Sequence, residues 1–230
     1  MGLMKLLEKL FQKKEANPNY EDSFKSFEPA REIPKDICLL VIADPHGDFT
    51  LNQNLKYELE NREYDLCCVL GDVKDSDVKI ILEYIPKEKI VALLGNHDRF
   101  NVLENFGLMD LNGKVVEVNG VKIGGIQGSF KYKNEEFPSF THEESIDFLN
   151  QMPPVDILLS HDKPFTIDYH QPSHDGLKGI THYLYKNRVP MNIHGHIHTS
   201  YLDKLKNGTI VKGVYEVEMV EVNAGRIQII

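Results

Sequence analysis

Five short segments carry groups able to hold a divalent cation. They are Asp44-Pro45-His46, Gly71-Asp72, Gly95-Asn96-His97-Asp98, Ser160-His161-Asp162 and Gly195-His196-Ile197-His198. Each alone is weak, because Gly-Asp commonly makes a turn and a His after a strand commonly fills a structural hydrogen bond. Five of them, each at the end of a strand, make a poor coincidence. The residue types suit metal chemistry: a carboxylate can span two cations, imidazole suits Mn, Fe, Zn or Ni, and Asn offers a neutral carbonyl oxygen. The absence of thiolates argues against a structural Cys-type zinc site. Ser160-His161-Asp162 holds the residue types of a serine hydrolase, but the members of a catalytic triad converge from separate segments.

Something must bring these segments to one place. Apolar runs at Ile37 to Ala43, Leu66 to Leu70 and Ile90 to Leu94 alternate with helical patterns over about Leu51 to Arg62 and Asp77 to Ile85. That rhythm predicts βαβ units and a largely parallel sheet, whose strand ends gather ligands. Further on, Lys114 to Val118 and Val121 to Ile126 flank Asn119-Gly120, a strong hairpin signal. Ile157 to Leu159 reads as a buried strand, Leu177 to Lys186 as a helix, and Thr209 to Ile230 alternates like antiparallel strands.

The chain has 230 residues, 41% hydrophobic and 27% charged, which is the size and balance of one globular domain. Its apolar runs are far shorter than the roughly 18 to 20 residues of a membrane span. Leu3 to Phe11 forms a short amphipathic pattern with interleaved lysines and lacks the features of a secretory signal. It is expected to lead an irregular arm over residues 1–35, with the main domain over 36–230, and to offer a contact to a partner or to the domain itself. Cys38, Cys67 and Cys68 fall in core strands and read as buried thiols, which places the protein in the reducing cytoplasm. A net charge of -9 argues against wrapping nucleic acid with a broad basic face. It leaves a small anionic substrate open, since bound cations would set the local field.

The motifs in order are D-x-H, G-D-x-x-D ending at Asp75, G-N-H-D, an isolated His and G-H-x-H. This order resembles the signature of the calcineurin-like metallophosphoesterase superfamily, over about Ile37 to Ser200. The resemblance implies an α/β fold, a four-layer αββα sandwich of two mixed β-sheets with a metal site at the strand C-terminal ends. It implies two divalent metal ions, Mn first and Fe, Zn or Ni after it. Asp44, His46 and His198 would hold one, Asn96, His161 and His196 the other, with Asp72 bridging both. The implied activity is hydrolysis of a small phosphate ester, with a lean to phosphodiesters, by a metal-bound hydroxide. His97 would act as general acid and Asp98 would orient its imidazole.

Around this set, Asp75 is expected to support by hydrogen bonding and His194 to pack behind the ligands. His174, in a loop that carries Pro164 and resembles that of a subset of small phosphoesterases, is a candidate substrate contact. Phe130 and Tyr132 could line the pocket but more readily pack on their own domain, and His142, His170 and His182 read as surface residues. The alternative is a non-catalytic scaffold of the same fold that binds proteins. Such a scaffold is expected to lose a ligand or the catalytic His, and this sequence keeps them all.

Overall fold

In a computed structural model, residues 20–48, 50–165 and 172–225 are described. The amphipathic segment Leu3 to Phe11, His170 and the end of the tail lie outside them. The strands are β1 (Ile37–Ala43), β2 (Leu66–Val69), β3 (Ile90–Ala92), β4 (Met109–Asp110), β5 (Val115–Val118), β6 (Val121–Ile126), β7 (Ser129–Phe130) and β8 (Ser139–Phe140). They continue with β9 (Ile157–Ser160), β10 (Met191–His194), β11 (Tyr201–Lys204), β12 (Ile210–Gly213) and β13 (Glu216–Val222). The helices are α1 (Leu51–Asn61), α2 (Asp75–Tyr84), α3 (Val102–Phe106), α4 (His142–Asn150) and α5 (Lys178–Lys186).

Two sheets follow from this order. One runs β13-β1-β2-β3-β4 and the other β11-β12-β10-β9-β6-β5, while β7 and β8 pair separately. In the first, β1 through β4 are parallel and β13 closes the edge antiparallel to β1. In the second, β6, β9, β10 and β12 are parallel, with β5 and β11 antiparallel at the two edges. Both sheets are therefore mixed.

The strands are apolar on both faces because both faces are covered. Leu39, Val41, Cys68, Val91 and Leu93 point to the same core as Ile123, Ile157, Leu159 and Ile193, so the sheets pack face to face. Leu40, Ile42, Cys67 and Val69 point the other way, against Leu51, Leu55, Val78 and Ile81 of α1 and α2. Leu158 does the same on the second sheet, against Leu149 of α4 and Ile180, Tyr183 and Leu184 of α5. The result is the four-layer αββα sandwich. Burying each large aliphatic side chain in these three clusters contributes about 1.5–3 kcal/mol.

Several local expectations need correction. α2 starts at Asp75 rather than near Asp77, because Asp77 accepts the Lys74 N–H (2.8 Å) and fixes the first turn. The tail is only partly antiparallel: β12 lies parallel to β10, and β13 belongs to the other sheet. α4 was not anticipated, since it has few apolar positions. Its readable signal was the capping box, in which the Glu144 N–H donates to Thr141 Oγ1 (3.2 Å) and the Thr141 N–H donates to Glu144 Oε2 (2.8 Å). His142 is not a surface residue; it is half-buried, stacked on Phe130 with ring centroids 4.4 Å apart and edge-on to Phe165.

Residues 20–35 contain one 3₁₀ turn, Tyr20–Ser23. Phe24 stacks on Tyr185 (4.4 Å), the buried Glu21 carboxylate accepts from the Tyr185 hydroxyl, and Ile33 reaches the inter-sheet core. Among the described residues, no helix is long and apolar enough to cross a membrane.

α4 and α5 meet at Gly179, whose N–H donates to Ser145 Oγ (3.0 Å). A Cβ there would lie 2.3 Å from the Ser145 carbonyl carbon, a backbone atom with little freedom to move. Gly179→Ala is expected to destabilise by about 1–3 kcal/mol despite its better helix propensity, lowering Tm by roughly 3–10 °C in calorimetry. An unchanged Tm would show that the helices are not in contact there.

Candidate metal centre

The site begins with backbone geometry. Asp44, His46, Asp72, His196 and His198 all have positive φ, between 50° and 68°. Non-glycine residues rarely adopt this region, and each instance costs on the order of 1–3 kcal/mol. Here the chain must turn soon after the strand so that the side chains of five strand ends converge. The neighbouring glycines make the space. A Cβ on Gly95 would lie 2.1 Å from Asp72 Oδ1 and 2.6 Å from His161 Cε1, and one on Gly195 would lie 2.7 Å from Asp44 Oδ2.

Hydrogen bonds decide which ring nitrogens remain for a ligand. A backbone carbonyl can only accept, so His161 Nδ1 donates to the Leu70 carbonyl (2.7 Å) and Nε2 is left, 2.9 Å from Asn96 Oδ1 and 3.8 Å from Asp72 Oδ1. His196 Nε2 donates to the Ser173 carbonyl (2.8 Å), which leaves Nδ1. Metal-bound imidazoles are commonly fixed this way. On the other side, His46 Nε2 and His198 Nε2 lie 3.0 Å apart. Asp72 Oδ2 is 3.6 Å from His46 Nε2, and Asp44 Oδ1 is 3.8 Å from His198 Nε2.

The two carboxylates share one pattern. Asp44 Oδ2 accepts the His196 N–H (2.7 Å) and Asp72 Oδ1 accepts the His97 N–H (2.8 Å). Their other oxygens, Asp44 Oδ1 and Asp72 Oδ2, are buried without a hydrogen-bond partner. An orphaned buried oxygen is costly unless something fills its place. With imidazole nitrogens aimed at the same space, the donor set fits divalent cations. Two groupings stand out by proximity, Asp44 with His46 and His198, and Asp44 with Asp72 and His161.

Without a counter-charge the pair cannot both ionise comfortably. Burial, then the Asp72 charge, pushes Asp44 up to about 8, against the His196 N–H that favours its anion. Burial also acts to raise Asp72, but His161 and the His97 N–H outweigh it and hold that carboxyl below its ordinary value. Burial pushes His161 down to about 4 and lowers His46 and His198. Neutral imidazoles are the form that binds metals.

The remaining residues divide. Asp98 does not turn to the His97 ring: Oδ2 accepts the N–H groups of Asp72 (2.8 Å) and Gly95 (2.7 Å), and Oδ1 that of Val73 (2.7 Å). It splices the Asp72 loop to the Asn96 loop, and burial raises it to about 7. The His97 ring is exposed, 5.7 Å from the His46 ring. Asp75 pairs with Arg99 at the surface. His194 is fully buried with both nitrogens engaged, by the Gly195 carbonyl and the Tyr201 hydroxyl. His174 lies edge-on to His196 with centroids 5.0 Å apart. The Ser160 hydroxyl accepts from Asn192 Nδ2 (3.0 Å), inside the sheet. Tyr132 packs on Phe137. The sequence reading missed Tyr215, stacked on His198 at 5.2 Å, and Asp77, which accepts the Gly47 N–H (2.8 Å); neither belongs to a motif.

Two outcomes follow for the metal-free and metal-loaded protein. A folded-state pKa raised above the unfolded one gives stability below the unfolded value that is lost as pH rises, so the contribution of Asp44 to the metal-free protein should be lost between about pH 4 and pH 8, while the lowered His161 and His194 act in the opposite sense between about pH 4 and 6.5. Asp44→Asn should flatten that slope and raise metal-free Tm at pH 8. Added Mn²⁺ should raise the Tm of the unsubstituted protein, by RT ln(1 + [Mn²⁺]/Kd) in free energy, and should do so far less for Asp72→Asn. Equal Mn²⁺ stabilisation of both proteins would remove Asp72 from the cation site.

Comparison with known proteins agrees with the geometry. The profile of the family described as Calcineurin-like phosphoesterase matches residues 39–200. Lariat debranching enzyme A of Xenopus laevis is 32% identical over 155 residues, covering 54% of this chain and 27% of the relative. The lariat debranching enzyme of Homo sapiens is 30% identical over 173 residues, covering 60% and 31%. The chain thus spans under a third of these curated relatives. Among solved structures, the phosphopantetheinyl hydrolase of Mycobacterium tuberculosis shares the fold with a TM-score of 0.54 at 15% identity, over 80% of this chain and 90% of that one. The 5'-nucleotidase of Candida albicans does so at 0.53 and 12% identity, over 86% and 53%. Motifs, sandwich and converging ligands agree with the profile match, and the chain belongs to the calcineurin-like phosphoesterase family.

Proposed function

We propose that the protein hydrolyses phosphodiesters at a dinuclear centre, with Asp44, His46 and His198 around one cation, Asn96, His161 and His196 around the other, and Asp72 shared. The observation that carries this is the pair of orphaned oxygens, Asp44 Oδ1 and Asp72 Oδ2, facing imidazole nitrogens from both sheets. A shared Asp72 draws support from its two oxygens, one lying toward His46 and the other toward His161. The family resemblance puts Mn first, and the four imidazoles also suit Fe, Zn or Ni. Two such cations, when bound, supply an activated water and neutralise the charge that builds on the phosphoryl oxygens.

The chain's own groups do the rest. The Leu70 and Ser173 carbonyls fix the ring orientation of His161 and His196. Asp98 holds the Asp72 and Asn96 loops at one spacing. His97 stands exposed beside His46, with its backbone anchored to Asp72, and donates a proton to the departing ester oxygen. His174, against the outer side of His196, contacts the substrate. The diester preference draws on the similarity to the lariat debranching enzymes. The side chains of His46 and His198 are 35% and 48% exposed, so the second arm of a diester can leave the site on that side.

The test is turnover by Mn²⁺-loaded protein of bis(p-nitrophenyl) phosphate, p-nitrophenyl phosphate and an alkyl p-nitrophenyl-free diester. The first should be preferred over the second, and Asp72→Ala should abolish both activities. His97→Ala should lose about 10²- to 10⁴-fold on the alkyl leaving group and little on p-nitrophenolate, which barely needs a proton. No turnover of any ester with two cations bound would sink the reading.

A further inference from the structure

Resting on that phosphodiesterase reading, we propose that Lys74 forms an anion subsite beside the metal centre and takes a second phosphate of the substrate, next to the scissile one. The argument begins with where the side chain lies. Lys74 runs against Gly47, the residue after His46: a Cβ at Gly47 would be 2.8 Å from Lys74 Cδ and 2.9 Å from Nζ. Gly47 has φ of 84°, a conformation that glycine adopts without cost, and its missing side chain is the room the lysine occupies.

This placement is fixed by a buried carboxylate. Asp77, fully buried, accepts the N–H of Gly47 (2.8 Å) and that of Lys74 (2.8 Å) on the same oxygen, Oδ2. The His46 loop and the loop after Asp72 are thereby tied together, and Lys74 leaves from the knot. Among the described residues, no ion pair or hydrogen bond engages its ammonium group. The other cations on ligand-bearing loops differ. Arg99 is paired with Asp75, and the buried Lys163 donates to the carbonyls of Pro164 and Asp175.

An exposed lysine without a counter-ion, in a chain of net charge -9, is a poor contributor to the fold and a good one to an anionic ligand. The scissile phosphate belongs among the ligand nitrogens. Lys74 stands one residue outside that set, beyond His46, so it reaches the next anionic group along the substrate. A compact ammonium suits phosphate as a point charge without demanding a planar, bidentate geometry.

The experiment measures binding, by titration calorimetry of the Mn²⁺-loaded protein with thymidine 5'-monophosphate and with thymidine 3',5'-bisphosphate at one fixed ionic strength. The bisphosphate should bind about tenfold more tightly than the monophosphate, the size of one charge-assisted contact. Lys74→Gln should remove that ratio and Lys74→Arg should keep it. A ratio near one in the unsubstituted protein, or a ratio that survives Lys74→Gln, overturns the subsite. Failure of the phosphodiesterase reading would show separately, as absent turnover of bis(p-nitrophenyl) phosphate, which has no second phosphate.

Discussion

Asp44 and Asp72 end adjacent parallel strands, and both are buried. Two carboxylates this close in a low-dielectric setting repel unless a positive charge sits between them. Much around them serves that arrangement. Each has one oxygen held by the backbone N–H of a neighbouring ligand loop, which aims the other oxygen at the same small volume. The left-handed turns at Asp44 and Asp72 put the carboxylates over the ends of the sheet, and Gly95 and Gly195 leave room for them.

The pair also explains why two sheets are needed. Asp44, His46, Asp72 and Asn96 follow strands of the first sheet, while His161, His196 and His198 follow strands of the second. The separation between the two halves is set by the apolar core between the sheets, where Leu39, Val41 and Cys68 meet Ile157, Leu159 and Ile193. Dense packing there has little give. A core substitution that changed the sheet spacing would move His161 relative to Asp72 without touching either residue. The hydrogen bond from His161 to the Leu70 carbonyl crosses the same gap and ties ring orientation to sheet spacing. Stability and site geometry are thus carried by one set of contacts.

The strand ends were legible because they obey local rules. β1 and β6 have the bounds their apolar runs suggest, and α1 ends within a residue of its expected limit. α4 was missed because its helical period is carried by few apolar residues, and its cap was the only strong cue. β12 has the antiparallel neighbour its alternation suggests, β11, but its parallel neighbour β10 is not legible in the sequence, because both kinds of neighbour leave the same alternation in one strand. The assignment of Asp98 to the His97 ring failed for another reason: a carboxylate's partners depend on which loops pass beside it, and three backbone N–H groups do.

Sequence by itself determined the ligand types, their order and their position after apolar runs, since those follow from residue identity and from the period of a strand. It also determined the glycines, whose absent side chains are a local property. Only the tertiary structure decided which ring nitrogen of each His faces the centre, which carboxylate oxygens are left unpartnered, and that Asp77, Ser173 and Tyr215 stand behind the ligands. These depend on contacts between segments far apart in the chain. Hydrogen bonding and burial there are set by the packing of two sheets, and no local pattern of residues encodes it.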